Sequence, residues 1–272
     1  ESFATRNAMG TGAYRLVAWE QGVKILHKKN PDWWGIKAGL YTGNIETIDY
    51  RPVSNAATRM AALKTGELDF VLDPSVQDVL RLRNDPDIKV WEGHEQRLIY
   101  LGTDQARDEL LYSDVKGKNP FKDKRVRLAM YHAIDINALK TSVMRGLSIP
   151  TGIPLPAGLA AGVPAELENR PPFDPAKAKE LLLSAGFKLD SKGKYLKPDG
   201  TPFTFKLTYP AGNPNYQKMV LLFKDVLGDV GVTLEPDPLE WAVFTTRLEN
   251  KDFDAITLAW SAGIETDIFQ MF

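Results

Sequence analysis

Glu265 and Asp267 stand two residues apart near the end of the chain. Two carboxylates at that spacing can share proton donation and abstraction, as a hydrolase requires. The same pair can instead cap a following helix, its oxygens accepting from the first backbone N–H groups. The sequence leaves both readings open. Just upstream, Trp260 ends a strand-like run, 254–260, and leads into Ser261-Ala262-Gly263. An aromatic beside small residues at the carboxyl end of a strand suits a binding crevice. Tyr209 holds the same kind of position, ending the run 203–209 before Pro210-Ala211-Gly212-Asn213. Trp241, at the start of a short helical stretch, ranks below these two. The bland alternative for each aromatic is core packing.

Other chemistries find no support. The 272 residues contain no cysteine, which removes thiolate metal sites, disulfides and cysteine nucleophiles. His27, His94 and His132 have no second histidine or carboxylate at metal-ligand spacing. Gly10-Thr11-Gly12 precedes a strand, whereas a phosphate loop must open a helix. With 34 basic against 35 acidic residues, the net charge of -1 argues against nucleic acid or an anionic membrane as a bulk partner. No cofactor is implied.

The elements that must position these residues read as alternating strands and helices, hence α/β. Runs 14–19 and 23–27 form a hairpin signal, followed by a strand over 45–53. A helix capped by Ser54 ends at Gly66, and short strands are expected at 68–72, 88–92 and 97–102. Residues 121–146 read as helical. Six prolines punctuate 150–172, which predicts an irregular wrap. Asp174-Pro175 then starts a helix ending at Gly186. Pro198-Asp199-Gly200 predicts a hairpin between 195–196 and 203–209. A helix over 213–227, a strand over 231–235, a short helix at Trp241 and a buried strand over 254–260 complete the pattern.

Six pieces then fall in a recognisable order. Gly10-Thr11-Gly12-Ala13-Tyr14 resembles a "GTGPY" strand entry, and Asn30-Pro31-Asp32-Trp33-Trp34-Gly35 an "NPxYWG" turn. Leu63 to Asp69 resembles "L..GE.D", and 119–134, with Pro120-Phe121, Asp123 and Arg125-Val126-Arg127, a "PF.D.RVRQA...AID" helix. Asp174 to Gly186 resembles "DPEKAKALL.EAG", and 260–269 a "GW....DPDPY" segment. In that order they resemble the family 5 bacterial extracellular solute-binding proteins, which include dipeptide-, oligopeptide- and nickel-binding components of ABC importers.

The resemblance implies a periplasmic-binding-protein type II-like fold of mixed sheets flanked by helices, in two lobes. Residues 1–95 would be part of lobe I and 96–272 most of lobe II, with the closing C-terminal segment absent. The chain then reads as a piece of a longer protein, and the apolar end at Phe269, Met271 and Phe272 fits that reading. Implied are a periplasmic location, a monomer, no catalysis, a small solute such as an oligopeptide, sugar or opine, and delivery to an inner-membrane ABC permease. Trp260, Ser261, Tyr209, Asn213, Trp241, Glu265 and Asp267 would contact the solute. Dipeptide-binding relatives hold the amino group with an Asp three residues after the Trp, where this chain has Gly263. They hold the carboxylate with an Arg in the loop that is Pro210-Ala211-Gly212-Asn213 here. Both departures disfavour a strict dipeptide binder, because a buried charge needs a partner.

Overall fold

The computed structural model describes residues 7–40, 44–113, 117–155, 163–164, 166, 170–196, 200 and 202–261. The chain divides into two compact units, residues 1–81 and 82–272.

The first unit carries a three-stranded antiparallel sheet in the order β1-β2-β3: β1 Tyr14–Glu20, β2 Lys24–Lys29 and β3 Thr47–Tyr50. The hairpin forms as its sequence predicts, with Glu20 opposite Lys24 and a register shift between Leu16 and Ala18. Its entry and the turn after β2 are clasped together. Asn30, buried, donates through Nδ2 to the Gly12 carbonyl at 3.4 Å and accepts from the Asp32 N–H at 3.1 Å. Trp34 Nε1 donates to the Thr11 carbonyl at 3.2 Å. Trp34 opens the short helix α1, Trp34–Lys37. A Cβ on Gly35 would lie 2.5 Å from the Trp33 ring. The two motifs nearest the start of the chain therefore act on each other.

Helix α2, Ala56–Lys64, is capped by Asn55, whose oxygen accepts from the Thr58 N–H, and not by Ser54 as expected. Helix α3 covers Val76–Leu82. The strands expected at 68–72 and 88–92 do not form. Apolar composition alone does not make a strand; a ladder partner is required. Phe70 and Leu72 are instead exposed.

The second unit is built on a four-stranded sheet in the order β4-β9-β7-β8: β4 Arg97–Thr103, β7 Thr204–Pro210, β8 Thr233–Leu239 and β9 Ala255–Ser261. β7 runs parallel to both β8 and β9, whereas β4 is antiparallel to β9. Pro236 and Pro238 lie in β8, and proline cannot serve a central ladder, so β8 belongs at an edge. Strand residues on β7 alternate between faces. Phe205, Leu207 and Tyr209 enter the core with Val220, Phe223 and Leu227 of α7, Pro214–Asp229. Behind that layer lie α4, Lys124–Ala133, and α6, Pro175–Ser184. Phe121 joins from a 3-10 turn, edge-on to Phe205 at a centroid distance of 5.1 Å. The other face takes α8, Trp241–Glu249, through buried Phe244 and an Arg247–Asp237 pair at 3.1 Å.

The long helix expected over 121–146 is interrupted. Ile134 adopts an extended backbone, Asp135 caps the short α5, Ile136–Ala138, and a π turn covers Leu139–Val143. The pairing expected across 198–200 is present among the described residues as one antiparallel bridge, Leu196–Pro202, with the Phe203 N–H donating to the Tyr195 carbonyl at 3.1 Å. β6, Tyr195–Leu196, also pairs with β5, Lys188–Leu189. Residues 197–199 lie outside the described residues. Among the described residues no helix is long and apolar enough to cross a membrane.

Gly231 shows why the β6 ribbon seats where it does. Its φ is +85°, and a Cβ there would come within 2.6 Å of the Tyr195 ring and 2.9 Å of the Gly193 carbonyl. Gly231→Ala is expected to lower stability by about 2 kcal/mol, from left-handed backbone strain plus displacement of Tyr195. Urea unfolding monitored by circular dichroism would check this. An unchanged midpoint would mean the ribbon moves aside freely.

Candidate functional site

In open α/β sheets a ligand crevice lies outside the carboxyl ends of parallel strands. β7, β8 and β9 end on one edge, and β4 begins there. The edge is stepped. Thr208 pairs with Ile256, which puts Pro210, the last residue of β7, level with Leu258. Trp260 and Ser261 run two and three residues farther, so Trp260 stands about 7 Å beyond the end of β7 at strand rise.

Trp260 is half-buried and pairs across to Leu98; Ser261 is exposed and pairs with Arg97. Alternation places Trp260 on the α8 face and Ser261 with Arg97 on the α7 face. Trp241 opens α8, is 60% exposed, and stacks on Phe244 at 5.9 Å and 22°. Asn213 is exposed, and its side-chain oxygen is taken by the Asn215 N–H at 2.9 Å, capping α7. The structure therefore brings Trp260, Ser261, Asn213 and Trp241 to the ends of elements around one sheet. Tyr209 is placed otherwise. It is 5% exposed, its ring in the core with Leu207 and Val220. It ends a strand as expected, but its position in the alternation points the ring at α7. Burial pushes its hydroxyl pKa up, and the Asp237 charge adds to that. Glu265 and Asp267 lie outside the described residues.

Residues the sequence reading missed stand beside these. Tyr216, in the first turns of α7, lies near the Ala259 backbone and the Arg97 side chain. Burial raises its pKa, while the Arg97 guanidinium and the Ala259 backbone pull it down. Arg97 pairs with Glu95 at 2.7 Å, both exposed. Neither residue carries a sequence signal. Tyr216 reads as part of an amphipathic helix, and Arg97 as the polar start of a strand.

Thr257 lies two residues into the same strand, fully buried, and its hydroxyl has no hydrogen-bond partner among the described residues. An orphan buried hydroxyl costs about 1–3 kcal/mol. Thr257→Val keeps the shape and removes that cost. It should stabilise the unit by about 1 kcal/mol, a melting shift of roughly 2–4 °C for this size. Calorimetry would read it; a lower melting temperature would show the hydroxyl to be partnered.

A cavity of about 600 Å³ lies at the other end of the unit, lined by Asn119, Lys122, Asp123, Val126 and Phe187 among others. Much of its polar lining is already engaged. Asn119 holds the carbonyls of Asp104 and Arg107, Asp123 caps α4, and Lys122 pairs with Asp108. The β9 edge is the better candidate. No group of three or more His, Asp or Glu among the described residues is placed to hold a metal.

Residues 1–271 match the bacterial extracellular solute-binding proteins, family 5. The chain belongs to that family. The oligopeptide-binding protein AppA of Bacillus subtilis is 24% identical over 273 residues, covering 99% of this chain and 47% of its own length. The crystal structure of NikZ from Campylobacter jejuni in complex with Ni(L-His) superposes with a TM-score of 0.78 at 20% identity. It covers 99% of this chain and 50% of that one. The dipeptide-binding protein of Pseudoalteromonas sp. SM9913, in complex with Met-Leu, gives 0.72 at 27% identity over 92% and 44%. This family 5 chain thus spans about half the length of the relatives it matches. The α/β fold with mixed sheets flanked by helices is the family's fold, as the six motifs imply.

Proposed function

We propose that this chain belongs to the solute-capturing component of an ABC importer. It binds a small solute, an oligopeptide by preference, between two lobes, and hands it to an inner-membrane permease. Residues 1–95 contribute to lobe I and 96–272 to lobe II. The protein works in the periplasm as a monomer without catalysis of its own. Family membership over 1–271 carries this reading. The β9 step supports it, with half-buried Trp260 and exposed Ser261 reaching past the neighbouring strand.

Trp260 and Trp241 supply apolar faces for the solute; Ser261 and Asn213 supply polar groups at its rim. Tyr209 supports the site from within the core. Glu265 and Asp267, four and six residues beyond Ser261, complete the set on sequence alone. Capture follows from lobe closure, the solute favouring the closed form by its extra contacts there. The names of relatives favour peptides: AppA is an oligopeptide-binding protein, and the Pseudoalteromonas relative holds Met-Leu.

Native mass spectrometry of the full-length protein, purified without refolding, tests the solute class. Co-purified masses should resolve into peptides of a few residues. A bound sugar in their place would overturn the peptide assignment while leaving the capture role standing.

A further inference from the structure

Resting on the peptide reading above, we infer that Arg97 is the specificity residue that receives the solute's anionic group. The anionic group would be a terminal carboxylate, held on the α7 face of the β9 edge.

Four observations converge there. Arg97 is the first residue of β4 and sits opposite Ser261 in the ladder, so guanidinium and hydroxyl share one face. Tyr216, packed against the core from α7, lies near the Ala259 backbone and within electrostatic reach of Arg97. Two residues along β4, Ile99 is 42% exposed, leaving an apolar floor next to the cation. And the loop after β7, Pro210-Ala211-Gly212-Asn213, contains no cation.

Arg97 has a partner, Glu95, at 2.7 Å, with side-chain exposures of 41% and 58%. An exposed pair of that kind contributes about 0–1 kcal/mol. A solute carboxylate that also accepts from Ser261 and is shielded from water competes with it readily. The guanidinium fork suits a carboxylate in two-point geometry, with one N–H left for Glu95.

The test uses the full-length protein and one pentapeptide in two forms, with a free carboxyl terminus and with a terminal amide, titrated calorimetrically. The unaltered protein should bind the free acid about tenfold more tightly. Arg97→Met keeps the aliphatic stem and removes the charge; it should erase the preference by weakening the acid and leaving the amide within twofold. Arg97→Lys should keep part of it. If the unaltered protein binds both forms equally, the carboxylate subsite is overturned and the peptide reading survives. A preference that persists in Arg97→Met likewise overturns Arg97 as its source. If neither form binds the unaltered protein, the peptide reading fails and this inference falls with it. Melting curves of each variant separate lost binding from lost folding.

Discussion

Asp254→Ala is expected to destabilise residues 82–272 by about 3–5 kcal/mol, the largest effect of any single substitution considered for this chain. Asp254 is fully buried, immediately before β9. Its Oδ1 accepts from the Tyr112 N–H at 3.1 Å and its Oδ2 from the Lys206 N–H at 3.2 Å. Its own carbonyl accepts from the Asp104 N–H at 2.9 Å. The carboxylate thus joins β7, the loop after β4 and the start of β9. Alanine would leave these two part-buried donors without their acceptor, at about 1–3 kcal/mol each before relaxation. Urea unfolding of the variant, followed by circular dichroism, is the check. A loss below about 1 kcal/mol would mean water replaces the carboxylate without penalty.

The same residue gives a pH signature. Burial raises the Asp254 pKa above its ordinary 3.8; the neighbouring backbone N–H groups pull it down, and the nearby Asp104 charge adds to the rise. Between 3.8 and the raised value the folded protein holds the proton more tightly than the unfolded chain. This contribution therefore grows as pH falls through that window. Asp254→Asn cannot titrate, so its stability should lack this rise, at a fixed cost of about 1–2 kcal/mol for one mismatched donor. Asp104 works oppositely. Burial opposes its ionisation, but Arg107 and two backbone N–H groups outweigh that and hold its pKa low. Its contribution is lost as pH falls below the ordinary carboxylate value.

Trp260→Ala should weaken solute binding about 30- to 100-fold, or roughly 2–2.7 kcal/mol, while shifting stability little. The indole is half-buried at a strand end, about two residues past the ladder that β7 provides. Its truncation therefore removes contact surface without opening a cavity in the core. Trp260→Phe should recover part of the affinity, because the aromatic face survives. Titration calorimetry with the solute found by mass spectrometry measures both. Affinity within threefold of the unaltered protein would remove Trp260 from the contact set.

Much of the second unit was legible in the sequence because local and global signals agree there. Asp174 with Pro175, Asn213 with Pro214, and the apolar runs of β7 and β9 each specify one outcome. Legibility failed where the outcome depends on partners. Leu68 to Leu72 has strand composition but no strand to pair with, and a helix-like pattern across 121–146 hides the break at Ile134. At the site, Trp260 was readable from its strand-end position. Tyr209 holds the same kind of position, and only the three-dimensional alternation sends its ring inward. Tyr216 and Arg97 became visible only through the pairing of β4 with β9. The family motifs also have a structural office. Asn30, Asn119, Asp123 and Asp174 cap or clasp backbone in this chain. They announce the fold more directly than they announce the ligand.

The Tyr112–Asp254 hydrogen bond spans 142 residues, and the β4–β9 ladder beside it joins the first strand of this sheet to its last. Contacts so distant along the chain are slow to form, because a long loop must close before any of them gives a return. As the polypeptide leaves the ribosome, β4 has no strand to pair with until β9 emerges. The β9 edge that would hold the solute is therefore the last part of the sheet to be completed.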